Sequence, residues 1–134
     1  MGVVVVGYVP KPEGKAALRL AAEEAKLRNA SLVVVNSHRG GREFDREDAM
    51  DSESQLEEVR DQLKEAGVEH EIRQLVRGLD PAEDLMNVAA EVGADVIVIG
   101  LRRRSPVGKL ILGSNAQRIL LDAPCPVLAV KAAE

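Results

Sequence analysis

The sequence predicts an α/β fold, a three-layer α/β/α sandwich around a five-stranded, mostly parallel sheet. Three observations point to it. Four short runs are apolar at every residue and rich in Val and Ile, as strands covered on both faces must be. The segments between them carry apolar residues at helical spacing. Strand and helix alternate along the whole chain, the order that builds a parallel sheet with right-handed crossovers.

The first strand is Val3-Val4-Val5-Val6, ending in Gly7-Tyr8. A helix is expected from Pro12 to Asn29, with apolar residues at 17, 18, 21, 22, 25 and 27. Proline suits its first turn, where a missing N–H costs nothing. Leu32-Val33-Val34-Val35 is the second strand and ends in Asn36-Ser37. The stretch Ser37 to Met50, with Gly40-Gly41, reads as a long, mobile connection. The next helix, Asp51 to Ala66, presents Leu56, Val59 and Leu63 on one face and stops at Gly67. Glu69 to Val76 reads as an edge strand, with Ile72 and Leu75 out of step with simple alternation. Asp80-Pro81-Ala82-Glu83 combines a capping residue, an N1 proline and an acid at N3, so it opens a helix that Gly93 ends. Val96-Ile97-Val98-Ile99 is the fourth strand and ends in Gly100. Gly113-Ser114 opens a last helix to about Leu121, and Val127-Leu128-Ala129-Val130 closes the sheet.

The chain has 134 residues, which sets the expectation of one domain over 1–134. A chain of this size buries roughly two-thirds of its unfolded surface, enough to need no disulfide or metal staple. Tyr8 and Phe44 are the only aromatics, so a base-stacking platform is missing and nucleic acid is not an expected partner. The net charge of −4 also disfavours general binding of polyanions. Cys125 is the single cysteine, which fits a reducing compartment. The apolar runs are too short to span a bilayer and no basic flank marks a signal peptide, so a cytoplasmic protein without membrane contact is expected.

Ligands of open α/β sheets sit beyond the carboxyl ends of the strands, where the strand order reverses. That places the ends of the first and fourth strands beside the crevice. From Val96 to Leu121 there is no acidic residue, while Arg102, Arg103, Arg104, Lys109 and Arg118 all fall there. This basic window in an acidic protein leads into the last helix, whose N-terminal N–H groups and dipole favour an anion. Gly113 would let a phosphate approach the backbone, and Ser114 would add a hydroxyl donor. The same residues also suit a plain helix cap beside solvated arginines. The acids of 42–71 read as the wet face of an amphipathic helix rather than a metal site. His38 ends a strand near the crevice, and His70 reads as solvated. Cys125, between two prolines, reads as a small apolar filler. No triad order and no Walker A pattern is present, so no catalytic residue and no metal ligand is expected.

With these residues in view, the chain resembles the universal stress protein family over essentially its whole length. Nucleotide-binding members look like Gly, two residues, Gly, nine residues, Gly, Ser/Thr. Gly100 matches the first glycine, and Gly113 and Ser114 match the last pair at that spacing. The closing runs Asn115-Ala116-Gln117-Arg118-Ile119-Leu120 and Ala123-Pro124-Cys125-Pro126-Val127 are also similar. Two positions depart from the pattern. The middle glycine falls on Arg103, and the acid that many members carry after the first strand falls within Tyr8-Val9-Pro10-Lys11, which has none.

The resemblance implies the adenine nucleotide alpha-hydrolase-like fold with strand order 3-2-1-4-5. It implies a stress-response protein that binds ATP or another adenine nucleotide, with Mg²⁺ accompanying the phosphates. Gly100, Gly113, Ser114 and Asn115 would donate to the phosphates, Arg102 or Arg103 would neutralise them, and Val9 and the strand end Asn36-Ser37, with Ser37 foremost, would line the base. It also implies a homodimer through the last strand, about Pro126–Lys131, whose apolar edge needs cover. Two other readings stand beside this one. One is a nucleotide-independent interaction protein, which the two departures favour. The other is a slow ATPase or nucleotidyl transferase, for which no general base and no carboxylate near the glycine loop is visible.

Overall fold

The computed structural model describes residues 2–38, 46–76, 80–101 and 113–131. Its elements are β1 (Val3–Gly7), α1 (Pro12–Arg28), β2 (Ser31–His38), α2 (Arg46–Ala66), β3 (His70–Val76), α3 (Pro81–Val92), β4 (Val96–Leu101), α4 (Ser114–Asp122) and β5 (Val127–Lys131). The strands form one sheet in the order β3-β2-β1-β4-β5. All four pairings are parallel, with Val5 opposite Val33 on one side and Ile97 on the other. This is the expected sandwich and the expected strand order.

The pleat explains why the inner strands are apolar throughout. Val4, Val6, Leu32, Val34, Val96 and Val98 point to one face and pack under α1 and α2, against residues such as Leu18, Leu56 and Leu63. Val5, Val33, Val35, Ile97 and Ile99 point to the other and pack under α3 and α4, against Leu85, Val88 and Ile119. Each such side chain contributes about 1.5–3 kcal/mol when fully buried, so a polar residue at any of them would be costly. Ile72 packs against the first core and Leu75 against the second, so the irregular pattern of β3 reflects cover on both faces at a sheet edge.

Helix ends follow local chemistry. Asn29 and Gly93 end α1 and α3 in the left-handed conformation, and Gly67 has φ 72° just after α2. Asp80 caps α3 by accepting from the Ala82 N–H at 2.9 Å. One expectation is corrected here. Strand β2 runs on to His38 and α2 begins at Arg46, so both consume part of the stretch read as a mobile connection. Arg46-Glu47-Asp48-Ala49-Met50 contains no helix breaker, and the glycines lie upstream of it. Residues 39–45 lie outside the described residues. Among the described residues no helix is long and apolar enough to cross a membrane.

Candidate functional site

The switch point lies between β1 and β4. Strands β2 and β3 extend the sheet on one side of β1, and β4 and β5 on the other. A cleft opens there at the carboxyl ends, enclosing about 670 Å³ of free space, part of it open to solvent.

Its floor comes from the turn after β1. Tyr8 still pairs with the sheet through its N–H to the Val35 carbonyl at 2.9 Å. Lys11 N–H then closes on the Val9 carbonyl at 2.8 Å, which turns the chain into α1. Gly14 sits against that turn, where an added Cβ would collide with the Val9 carbonyl oxygen. Gly100 sits against the first turn of α1 in the same way, since its Cβ would collide with the Glu13 carbonyl oxygen. Two missing side chains thus let α1 wedge between the ends of β1 and β4. Glu13 and Gly14 line the cleft as a result.

Of the residues expected to bind nucleotide, Val9, Ser37, Gly100 and Asn115 line this cleft together. Val9 is 41% exposed, so its side chain is available to a ligand. Gly113 and Ser114 precede Asn115 and are not among the lining residues. Gly113 is the N-cap of α4, with extended backbone and, among the described residues, nothing within 4 Å of where a Cβ would stand, and Ser114 is the first helical residue. Arg102 and Arg103 lie outside the described residues, as does the His38 side chain.

The sequence reading missed Glu13 and Gly14. It also missed Pro81, Ala82 and Leu85, which line the cleft from α3. A signal for the second group was present, because the cap at Asp80-Pro81 places the start of α3 at the carboxyl end of the sheet.

The helix N-termini at this end of the sheet differ in charge. Helix α3 has Asp80 at its cap and Glu83 and Asp84 in its first turn, and α1 has Glu13. Helix α4 has no acid in its first turn and no side-chain cap, so no side chain of its cap residue occupies its free N–H groups. Asp84 is buried, and its Oδ2 accepts a hydrogen bond of 2.5 Å from the Ser37 hydroxyl. Asn36, also buried, leaves its Nδ2 without a partner among the described residues.

Arg118 belonged to the basic window, and the structure gives it another role. Its guanidinium donates to Asp80 Oδ2 at 2.6 Å and ties α4 to the cap of α3. His70 is half-buried, with Nδ1 2.9 Å from the carbonyl oxygen of Val68, two residues earlier. Cys125 packs at the margin of the second core. Burial, and then nearby Asp95, pushes its thiol pKa up, the opposite of a nucleophile. Among the described residues no group of three His, Cys, Asp or Glu side chains could hold a metal ion.

The model of the universal stress protein family matches residues 1–131. A universal stress protein of Mycolicibacterium smegmatis is 46% identical over 129 residues, which is 96% of this chain and 97% of the relative. The structure of a universal stress protein from Archaeoglobus fulgidus superimposes with a TM-score of 0.84 at 40% identity, covering 98% of both chains. A second Archaeoglobus fulgidus structure, in complex with dAMP, gives a TM-score of 0.77 at 34% identity, again over 98% of both chains.

Proposed function

The chain belongs to the universal stress protein family, and from that premise we propose that it binds an adenine nucleotide, ATP or AMP, in the cleft between the ends of β1 and β4. One observation carries the reading: α4 opens at this cleft with an N-terminus that has neither a side-chain cap nor a first-turn acid. Its N–H groups and dipole favour an anion there, whereas the acids at the start of α3 disfavour one. The phosphates therefore lie toward Gly113, Ser114 and Asn115, with Arg102 and Arg103 in the adjoining segment. The sugar and base extend across Gly100 and Val9 toward Ser37. The complex of the related Archaeoglobus fulgidus protein with dAMP supports this choice of ligand.

Glu13 supplies what the turn after β1 lacks. Among the described lining residues it is the one carboxylate, and it would accept from sugar hydroxyls in the absence of an acid at Val9. A Mg²⁺ ion would arrive on the phosphates, since one carboxylate makes no cage for it. The protein acts by binding rather than turnover, as a homodimer joined through β5.

The test begins with protein purified without added nucleotide. Denaturation followed by mass spectrometry should release adenine nucleotide, and the stripped protein should bind ATP or AMP with micromolar affinity. Ser114→Trp should abolish binding while leaving the far-ultraviolet circular dichroism unchanged. Absence of both bound nucleotide and titratable binding would overturn the reading. The nucleotide-independent interaction protein would then take its place, a reading favoured by the packing reason that Gly100 has without any ligand.

A further inference from the structure

Helices α3 and α4 both line the cleft, α3 with Pro81, Ala82 and Leu85 and α4 with Asn115, Ala116 and Ile119. One carboxylate serves both helices. Asp80 Oδ1 accepts from the Ala82 N–H at 2.9 Å and caps α3. Asp80 Oδ2 accepts from the Arg118 guanidinium at 2.6 Å. Arg118 stands one turn after Ser114, and the side chains of a helix lean toward its N-terminus. The contact therefore brings the Asp80 carboxylate close to the first turn of α4, whose N–H groups have no partner within the helix. The other acids at the start of α3 are disposed differently. Glu83 is exposed, and Asp84 is buried with the Ser37 hydroxyl as its donor. Asp80 is the one tied to α4.

A helix start attracts an anion with the equivalent of about half a positive charge, and a bare carboxylate beside it would cancel that attraction. Paired with Arg118, Asp80 presents no net charge. The side chains are partly exposed, 41% for Arg118 and 33% for Asp80, so the pair adds little to stability. Its larger consequence is for the field at the cleft. We infer that Arg118 is a charge mask: it neutralises Asp80 and thereby keeps the start of α4 receptive to a phosphate. The inference rests on the adenine-nucleotide reading and explains how an anion is admitted beside the acidic start of α3. Arg118 is a positioning residue here, acting on the ligand through Asp80 and not by contact.

The experiment titrates stripped protein with AMP and with adenosine by calorimetry. Arg118→Gln bares the Asp80 carboxylate and should weaken AMP about fivefold while leaving adenosine within about twofold of wild type. The loss should vanish in about 1 M salt, which screens exposed charges beyond about 3 Å. Arg118→Lys, which keeps the charge, should bind AMP like wild type. Asp80→Asn retains the cap, since asparagine caps as well as aspartate. The double variant Asp80→Asn with Arg118→Gln should therefore recover AMP affinity to within about twofold of wild type. Thermal melts of each variant verify the fold. The AMP series alone decides the matter. Unchanged affinity in Arg118→Gln would overturn the inference. So would a double variant as weak as Arg118→Gln, which would put Arg118 in contact with the phosphate or make the bridge a purely structural tie. Either result leaves the adenine-nucleotide reading standing, whereas failure of wild type to bind AMP would overturn both.

Discussion

Gly100 and Gly113 are the two glycines of one spacing pattern, yet they differ in what surrounds them. Gly100 has the Glu13 carbonyl where a Cβ would stand, while Gly113 meets none of the described residues there and has an extended backbone that any residue adopts. Gly100→Ala should therefore cost about 2 kcal/mol or more, since backbone has to move. Gly113→Ala should melt like wild type, within about 0.5 kcal/mol, and still weaken AMP about tenfold by holding the phosphate away. A Gly113→Ala protein with undiminished affinity would remove that residue from the phosphate contact. Tyr8, the single tyrosine, offers a second residue-scale test. Burial beneath the first core, and then the charge of Glu58, raises its pKa above the ordinary 10.0. The neutral phenol is thus favoured by the folded state. Its contribution is fully present below pH 10.0 and is lost as pH rises through the raised folded value, by up to about 1.4 kcal/mol per pH unit between the two. Denaturant titrations should show this alkaline loss in wild type and a smaller one in Tyr8→Phe. Phenolate absorbance that rises at the ordinary tyrosine pKa in the folded protein would contradict it.

At the scale of elements, β5 is the edge that the proposed dimer covers. Val127, Leu128 and Val130 are only half-buried in the single chain, and Ala129 and Lys131 are exposed. The exposed Leu121 lies nearby in sequence, on α4. An unpaired apolar edge invites a second copy, and two-fold pairing would bring like residues together. Ala129→Asp should then convert a dimer to a monomer in sedimentation equilibrium without lowering the melting temperature of a dilute sample. A dimer that persists would move the interface elsewhere. The elements differ in how legible they were. Asp80-Pro81 and Gly93 marked α3 to the residue, because capping depends on neighbours in the chain. The start of α2 was read five residues late, since a polar stretch such as Arg46–Met50 has no apolar periodicity to announce it. The irregular pattern of β3 became clear only with Ile72 and Leu75 on opposite faces.

For the molecule as a whole, two cores on either side of one sheet follow from the chain's own pattern. Continuous runs of Val, Ile and Leu require cover on both faces, and alternation with helices supplies it, so fold class, element order and the position of the crevice were determined by the sequence alone. The lack of acids from Val96 to Leu121 was legible too, whereas the structure decided that Gly113 rather than Ser114 is the N-cap of α4. The tertiary structure alone decided which distant residues share the cleft. Nothing local to Glu13 announces that its backbone presses on Gly100, and nothing local to Ser37 announces Asp84, 47 residues away. Nor could the sequence show that Arg118 is held by Asp80. Those pairings depend on strand order, register and the approach of helices to the sheet. Such long-range contacts are set by packing of the whole chain, whereas caps and periodicity are set within a few residues.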